Sequence, residues 1–173
     1  MLAAPFLIET LSDAHERSGF DSGVAALDRY FTNQVTQDMR RRIAACWVAL
    51  ARDTRAIVGF YTLAASSLPL RDIAPDTAKK LPRYPLLPAV RIGRLAVSRH
   101  WQGKGIGAGL LIDGIARAMR ADLMAFAMVV DAKDDAAVGF YQHLGFIRFT
   151  SAPMSLYLPL AEAARQLGLA KDG

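Results

Sequence analysis

The sequence contains a single cysteine, Cys46, among 173 residues. One thiol cannot close an intrachain disulfide, and nothing around it has metal-ligand spacing. Cys46 lies in an apolar run, which makes it a buried core thiol. The three histidines, His15, His100 and His143, are scattered and give no metal pattern either. Long hydrophobic runs are missing too. The longest candidates, Ala44–Ala51 and Leu123–Val130, have strand length, far short of the roughly 18 apolar residues of a membrane span. The first residues, Met1-Leu2-Ala3-Ala4-Pro5, lack the basic region of a signal peptide. A reducing, cytoplasmic setting with no membrane contact is expected. Low-complexity linkers and internal repeats are absent as well, so one domain is expected over residues 1–173. Its 53% of apolar residues are ample for one core.

Charge is present in unequal amounts. Lys and Arg number 21 against 16 for Asp and Glu, a net charge of +5, and the isoelectric point is near 9.7. Most of the cations are arginines placed before residue 100, among them Arg40-Arg41-Arg42, Arg83, Arg91 and Arg94. The planar guanidinium fork binds two phosphate oxygens at once. A moderate excess of this kind also serves solubility alone, and an arginine run that ends a helix complements its dipole.

Hydrophobic periodicity predicts a short strand over Pro5–Thr10. A helix capped at Asp21-Ser22 follows, with Leu27, Tyr30, Phe31 and Val35 on one face. A second helical segment runs to about Arg42 after a break near Thr32-Asn33. Ala44–Ala51 and Ile57–Ala64 read as a hairpin through Arg52-Asp53-Thr54-Arg55. Residues 66–89 hold five of the eight prolines and are expected as an irregular excursion with a short helix near Asp76–Leu81. Then come a strand, Val90–Val97, a helix, Lys104–Ala121, a buried-type strand, Ala125–Val130, and a helix, Asp134–Leu144, ended by Gly145. Phe146–Phe149 and Ser155–Leu158 are the last strand candidates, before a helix from Pro159. Hairpin-linked early strands and helix-linked later ones imply an α/β chain with a mixed sheet.

Between the strand Val90–Val97 and its helix stands Gln102-Gly103-Lys104-Gly105-Ile106-Gly107. A strand, a glycine-rich turn and a helix start form a phosphate cradle, because the backbone can approach an anion and the first helical amides point at it. Lys104 adds a positive charge. A dinucleotide-binding reading is rejected. The turn lies past the middle of the chain, behind four strand candidates, and its glycines lack the two-residue gap of G-x-G-x-x-G.

The same six residues resemble the acetyl-CoA signature of the GNAT N-acetyltransferases, Q/R-x-x-G-x-G/A. Arg94-Leu95-Ala96-Val97 is similar to that family's fourth strand, and Phe140-Tyr141-Gln142-His143-Leu144-Gly145-Phe146 to its F-Y-x-x-x-G-F segment. A narrower resemblance covers nearly the whole chain. Phe20-Asp21-Ser22-Gly23, Leu27-Asp28-Arg29-Tyr30-Phe31, Gly59-Phe60-Tyr61-Thr62-Leu63, Asp131-Ala132-Lys133-Asp134 and Ser155-Leu156-Tyr157-Leu158-Pro159-Leu160 are similar to segments of the GNAT toxins of type II toxin–antitoxin pairs. One departure is Ser22, where that family often has cysteine; the position is expected to concern helix capping.

The resemblance implies the acyl-CoA N-acyltransferase fold, a twisted mixed sheet of 6–7 strands with about four helices. It implies acetyl-CoA as cofactor and the α-amino group of aminoacyl-tRNA as acceptor, so that translation is blocked. It also implies neutralisation by a ribbon-helix-helix antitoxin, with operator DNA reached only through that antitoxin. The turn backbone at Gly103, Lys104, Gly105, Ile106 and Gly107 is assigned to the pyrophosphate. Gln102 shapes the turn or adds a donor, and the backbone of Leu95, Ala96 and Val97 pairs with the pantetheine arm. For tRNA the candidates are Arg40, Arg41, Arg42, Arg83, Arg91 and Lys133. A mean hydropathy of +0.19 points to a buried partner surface such as that of a homodimer.

Forming an amide from a thioester and an amine requires a neutral amine, a stabilised oxyanion and a proton for the departing thiolate. Tyr141 is the candidate acid: a phenol of pKa about 10 can protonate a thiolate whose conjugate acid lies near 8.5 once it is placed beside the sulfur. The competing reading is a core aromatic like its neighbour Phe140, but adjacent helical side chains diverge by about 100° and both need not be buried. No Glu or His stands out as a base. An α-amine of pKa near 8 is roughly a tenth neutral at pH 7, whereas a lysine amine is well under 0.1% neutral, so an aminoacyl ester needs little help from a base. Two other readings stay open: acetylation of a small amine or a protein N-terminus, and a co-repressor module acting with an antitoxin.

Overall fold

The computed structural model describes residues 5–168. Its seven strands are β1 (Phe6–Thr10), β2 (Ala45–Ala51), β3 (Ile57–Pro69), β4 (Leu86–Val97), β5 (Ala127–Asp131), β6 (Ile147–Arg148) and β7 (Ser155–Pro159). They lie in one mixed sheet in the order β1-β2-β3-β4-β5-β7-β6. Pairing is antiparallel for β1 with β2, β2 with β3, β5 with β7 and β6 with β7, and parallel for β4 with β5. Six α-helical segments accompany the sheet among the described residues: α1 (Ala25–Asn33), α2 (Val35–Arg40), α3 (Pro75–Ala78), α4 (Ile106–Arg120), α5 (Asp135–His143) and α6 (Leu160–Gln166). Two are short: α2 continues α1 after a break at Gln34, and α3 is a single turn.

The described chain forms two compact units. One runs to Ala64 and includes Gly93–Gly114; the other is Ala65–Ile92 with the described residues from Ile115 onward. In the first, the helical periodicity of α1 and α2 buries Phe31 and Val35 against Cys46, Val48 and Phe60. Phe31 and Phe60 stack at 4.2 Å, and Phe20 meets both rings edge-on, each such pair adding about 0.5–1.5 kcal/mol beyond burial. The second unit packs Leu68, Ile73, Leu87, Ala89, Val129 and Tyr157 together. Four consecutive residues of β5, Ala127–Val130, are fully buried, as expected of an interior strand covered on both faces.

Two expectations need correction. Asp21 and Ser22 do not cap α1: the helix starts at Ala25, its N-cap is Val24, and no side chain caps it. Asp28 instead reaches back and accepts the Ser22 amide and hydroxyl, so a carboxylate from inside the helix fixes the loop that leads into it. The irregular excursion is also shorter than residues 66–89. β3 extends to Pro69 and β4 starts at Leu86, because a proline at a strand end, or one whose carbonyl alone serves a neighbour, does not interrupt a ladder. The Pro88 carbonyl accepts the Phe126 amide. Between these strands, buried Asp72 ties the loop down by accepting the Ser151 amide and hydroxyl.

Candidate active site

The glycine turn is built as its residue types require. Gly103 and Gly105 have φ of 76° and 82°, the left-handed region that side chains avoid. The Gln102 side-chain amide donates to the Ser22 and Val97 carbonyls, so Gln102 ties the turn to its own strand. α4 then begins at Ile106, which is buried, and its first backbone bond at the turn runs from the Gly109 amide to the Gly105 carbonyl. Among the described residues, no backbone carbonyl accepts the amides of residues 103–108. Six successive open donors at a helix start, with a positive end dipole, form an anion cradle. A Cβ built on Gly103 or Gly105 would meet nothing within 4 Å, so the turn is open outward. The Lys104 ammonium lies 5.0 Å from the centre of the Trp101 ring.

The strand leading into the turn has two regimes. β4 alternates cleanly through Leu87 and Ala89, then its buried positions fall at Ile92 and Ala96. Its parallel ladder with β5 covers Ala89–Ile92 against Ala127–Val130 and stops there. Leu95 and Val97 lie just beneath Gly107. The Arg94 amide donates to the hydroxyl of buried Thr62.

Tyr141 is on α5, which Asp134 caps by accepting the Ala137 amide. The neighbouring aromatics divide as a 100° turn between them allows. Phe140 is exposed, and Tyr141 is half-buried against Phe146 with ring centres 5.4 Å apart. Burial, and secondarily the charge of Asp131, push the Tyr141 phenol above its ordinary pKa. No described residue hydrogen-bonds its hydroxyl, which leaves a protonated donor with a free valence.

Asp131 itself ends β5 in a small polar cluster that the sequence reading did not find. The Arg91 guanidinium donates to one carboxylate oxygen and the Ser155 hydroxyl to the other. The parallel β4–β5 and antiparallel β5–β7 registers bring these residues together, and only the register could have revealed them. Arg91, a tRNA candidate, is thus held in an ion pair. Arg40, Arg41 and Arg42, at the end of α2, are exposed, as are Arg83 and Lys133. Arg42 takes a φ of 60°, an uncommon place for a long side chain. The structure puts Arg40–Arg42 in one unit and Arg83, Arg91 and Lys133 in the other.

Residues 12–155 match the family model described as the acetyltransferase (GNAT) domain. The chain belongs to the GNAT acetyltransferase family. Within that family it is similar to a tRNA-acetylating toxin of Mycobacterium tuberculosis, 33% identical over 91% of this chain and 94% of the toxin. It is also similar to the solved structure of AtaT complexed with acetyl-methionyl-tRNAfMet, with a TM-score of 0.83 and 27% identity over 95% of this chain and 98% of that one. A structure of an AtaT variant bound to the C-terminus of the antitoxin AtaR and acetyl-CoA matches with a TM-score of 0.76 and 25% identity over 95% and 99% of the two chains. In this GNAT protein the family's glycine turn is the amide cradle, and the family's F-Y segment carries the free phenol.

Proposed function

We propose that this GNAT protein is a toxin that transfers acetyl from acetyl-CoA to the α-amino group of aminoacyl-tRNA and thereby blocks translation. The run of open amides at residues 103–108 carries the cofactor reading. Near-full-length likeness to a tRNA-acetylating toxin supports the acceptor. Acetyl-CoA, when bound, supplies the acetyl group as an activated thioester. The backbone of Gly103, Lys104, Gly105, Ile106 and Gly107 would hold its pyrophosphate, with Gln102 fixing the turn. Leu95, Ala96 and Val97, beyond the end of the β5 ladder, offer main-chain groups to the pantetheine arm. The Tyr141 hydroxyl gives its proton to the leaving sulfur. Since about a tenth of an α-amine is already neutral near pH 7, this reading assigns no side-chain base, and the proton the amine gives up on attack passes to solvent.

Residues 1–173 act in this reading as a single acetyltransferase domain, as the family match across both compact units supports. The setting is the cytoplasm, where charged tRNA is found; no helix among the described residues is long and apolar enough to cross a membrane. A ribbon-helix-helix antitoxin neutralises the enzyme and carries it to operator DNA, and the enzyme pairs with a second copy of itself. Incubation with acetyl-CoA and charged tRNA is expected to yield acetylaminoacyl-tRNA. Charged tRNA left unmodified across all isoacceptors, with activity on a small amine instead, would replace this reading by the small-amine one.

A further inference from the structure

Arg94 leaves β4 toward α1, and its guanidinium carbon lies 3.5 Å from the centre of the Tyr30 ring. That distance is face-on stacking, which fixes the plane of the fork as well as its position. The stacking platform is itself anchored. The Tyr30 hydroxyl donates to one oxygen of Asp38, and the Gln34 amide donates to the other. Burial, followed by the Asp38 hydrogen bond, holds the Tyr30 phenol far above its ordinary pKa, so the hydroxyl remains a donor. The carboxylate nearest in charge to Arg94 is therefore directed at Tyr30. No described residue accepts a hydrogen bond from the half-buried Arg94 guanidinium.

A half-buried guanidinium whose N–H groups have no acceptor in the protein offers those groups to water or to a ligand. The Arg94 charge helps to hold the Asp38 carboxyl low, but the two oxygens of that carboxylate accept from Tyr30 and Gln34 and leave the fork itself unbonded. The β4 backbone beside it is also held in an unusual way. The Arg94 amide is bound by the Thr62 hydroxyl, and a Cβ at Gly93 would press on the same hydroxyl at 3.3 Å. The Thr62 hydroxyl thus holds the strand at the residue that aims the fork.

We infer that Arg94, pre-oriented by Tyr30 and Asp38, is a phosphate-binding residue for the acceptor nucleic acid and receives a backbone phosphate near its aminoacylated end. This rests on the aminoacyl-tRNA reading and adds to it a residue outside the exposed arginine run. Its planar fork suits two phosphate oxygens, and stacking has already removed much of its rotational freedom.

The test is a titration of the full chain with deacylated tRNA at several salt concentrations, beside a titration with coenzyme A. For Arg94→Gln, tRNA affinity should fall about tenfold or more, and the salt slope should shrink by about one, with coenzyme A affinity unchanged. Arg94→Lys, which keeps the charge and the aliphatic stem, should retain the salt slope yet lose affinity because the fork is gone. Wild-type tRNA affinity in both variants overturns the proposal and leaves the aminoacyl-tRNA reading standing on acetylation of charged tRNA. A lowered unfolding midpoint with tRNA affinity intact assigns Arg94 to packing and also overturns it. A wild-type protein that neither binds nor acetylates tRNA removes both.

Discussion

The chemistry at single residues comes down to which donors are left open. Tyr141 is a phenol with its pKa raised by burial and by Asp131, so it remains protonated up to and beyond its ordinary value of about 10. The pH profile of kcat is accordingly expected to rise as the acceptor amine loses its proton near pH 7–8, with no falling limb from Tyr141 below about pH 10. Tyr141→Phe should keep the rising limb and cost about 100-fold or more in kcat. Unchanged turnover in a stopped-time assay would remove the role given to this residue. The linkage to stability has the same sign. The folded chain holds the phenolic proton more tightly, so this group leaves stability untouched at low pH and reduces it as pH rises past about 10. Cys46 behaves differently: burial raises its thiol to about 12, so it is a packing residue, as its apolar neighbours in the sequence imply.

At the scale of an element, the glycine turn shows why the family pattern admits alanine at one position and not at another. Gly105 sits at φ of 82°, whereas Gly107 is already inside α4, where an added Cβ would make ordinary contacts with Val97 and Leu95 at 3.8 and 3.9 Å. Gly105→Ala should cost about 1–2 kcal/mol in backbone strain and raise the KM for acetyl-CoA by distorting the cradle. Gly107→Ala should leave KM near wild type and hold or raise the unfolding midpoint, since alanine is favoured over glycine in a helix by up to about 1 kcal/mol. Thermal unfolding together with acetyl-CoA kinetics on the two variants checks both halves. The turn and α5 were legible in sequence because their signals are local: glycines where φ must be positive, Asp134 as a cap, Gly145 as a stop at φ of 99°. The start of α1 was misread because its polar partner, Asp28, lies inside the helix. The ends of β3 and β4 were misread because proline was weighed as a breaker without knowing which of its backbone groups faces a neighbouring strand.

For the whole molecule, the excess of cations becomes a statement about salt. If three of the basic residues neutralise tRNA phosphates, raising salt from about 50 to 200 mM should weaken tRNA binding on the order of 40-fold. Coenzyme A binding, if it runs through the backbone amides of the turn and one lysine as proposed, should change far less. A flat salt response for charged tRNA in subsaturating kinetics would instead favour the small-amine reading. The sequence by itself determined the mixed α/β order, the glycine turn and the place of Tyr141 on α5, because periodicity, glycine conformation and short motifs act within a few residues of one another. It also supplied a list of cations but could not sort them. Only the tertiary structure decided that Arg91 is held by Asp131, that Gln102 closes the turn onto Ser22, and that Arg94 is stacked on Tyr30 with its donors open. Those pairings join residues far apart in the chain, and those of Arg91 and Arg94 depend on strand register and on the pleat phase of β4. A shift of one residue in either would send each side chain to the opposite face.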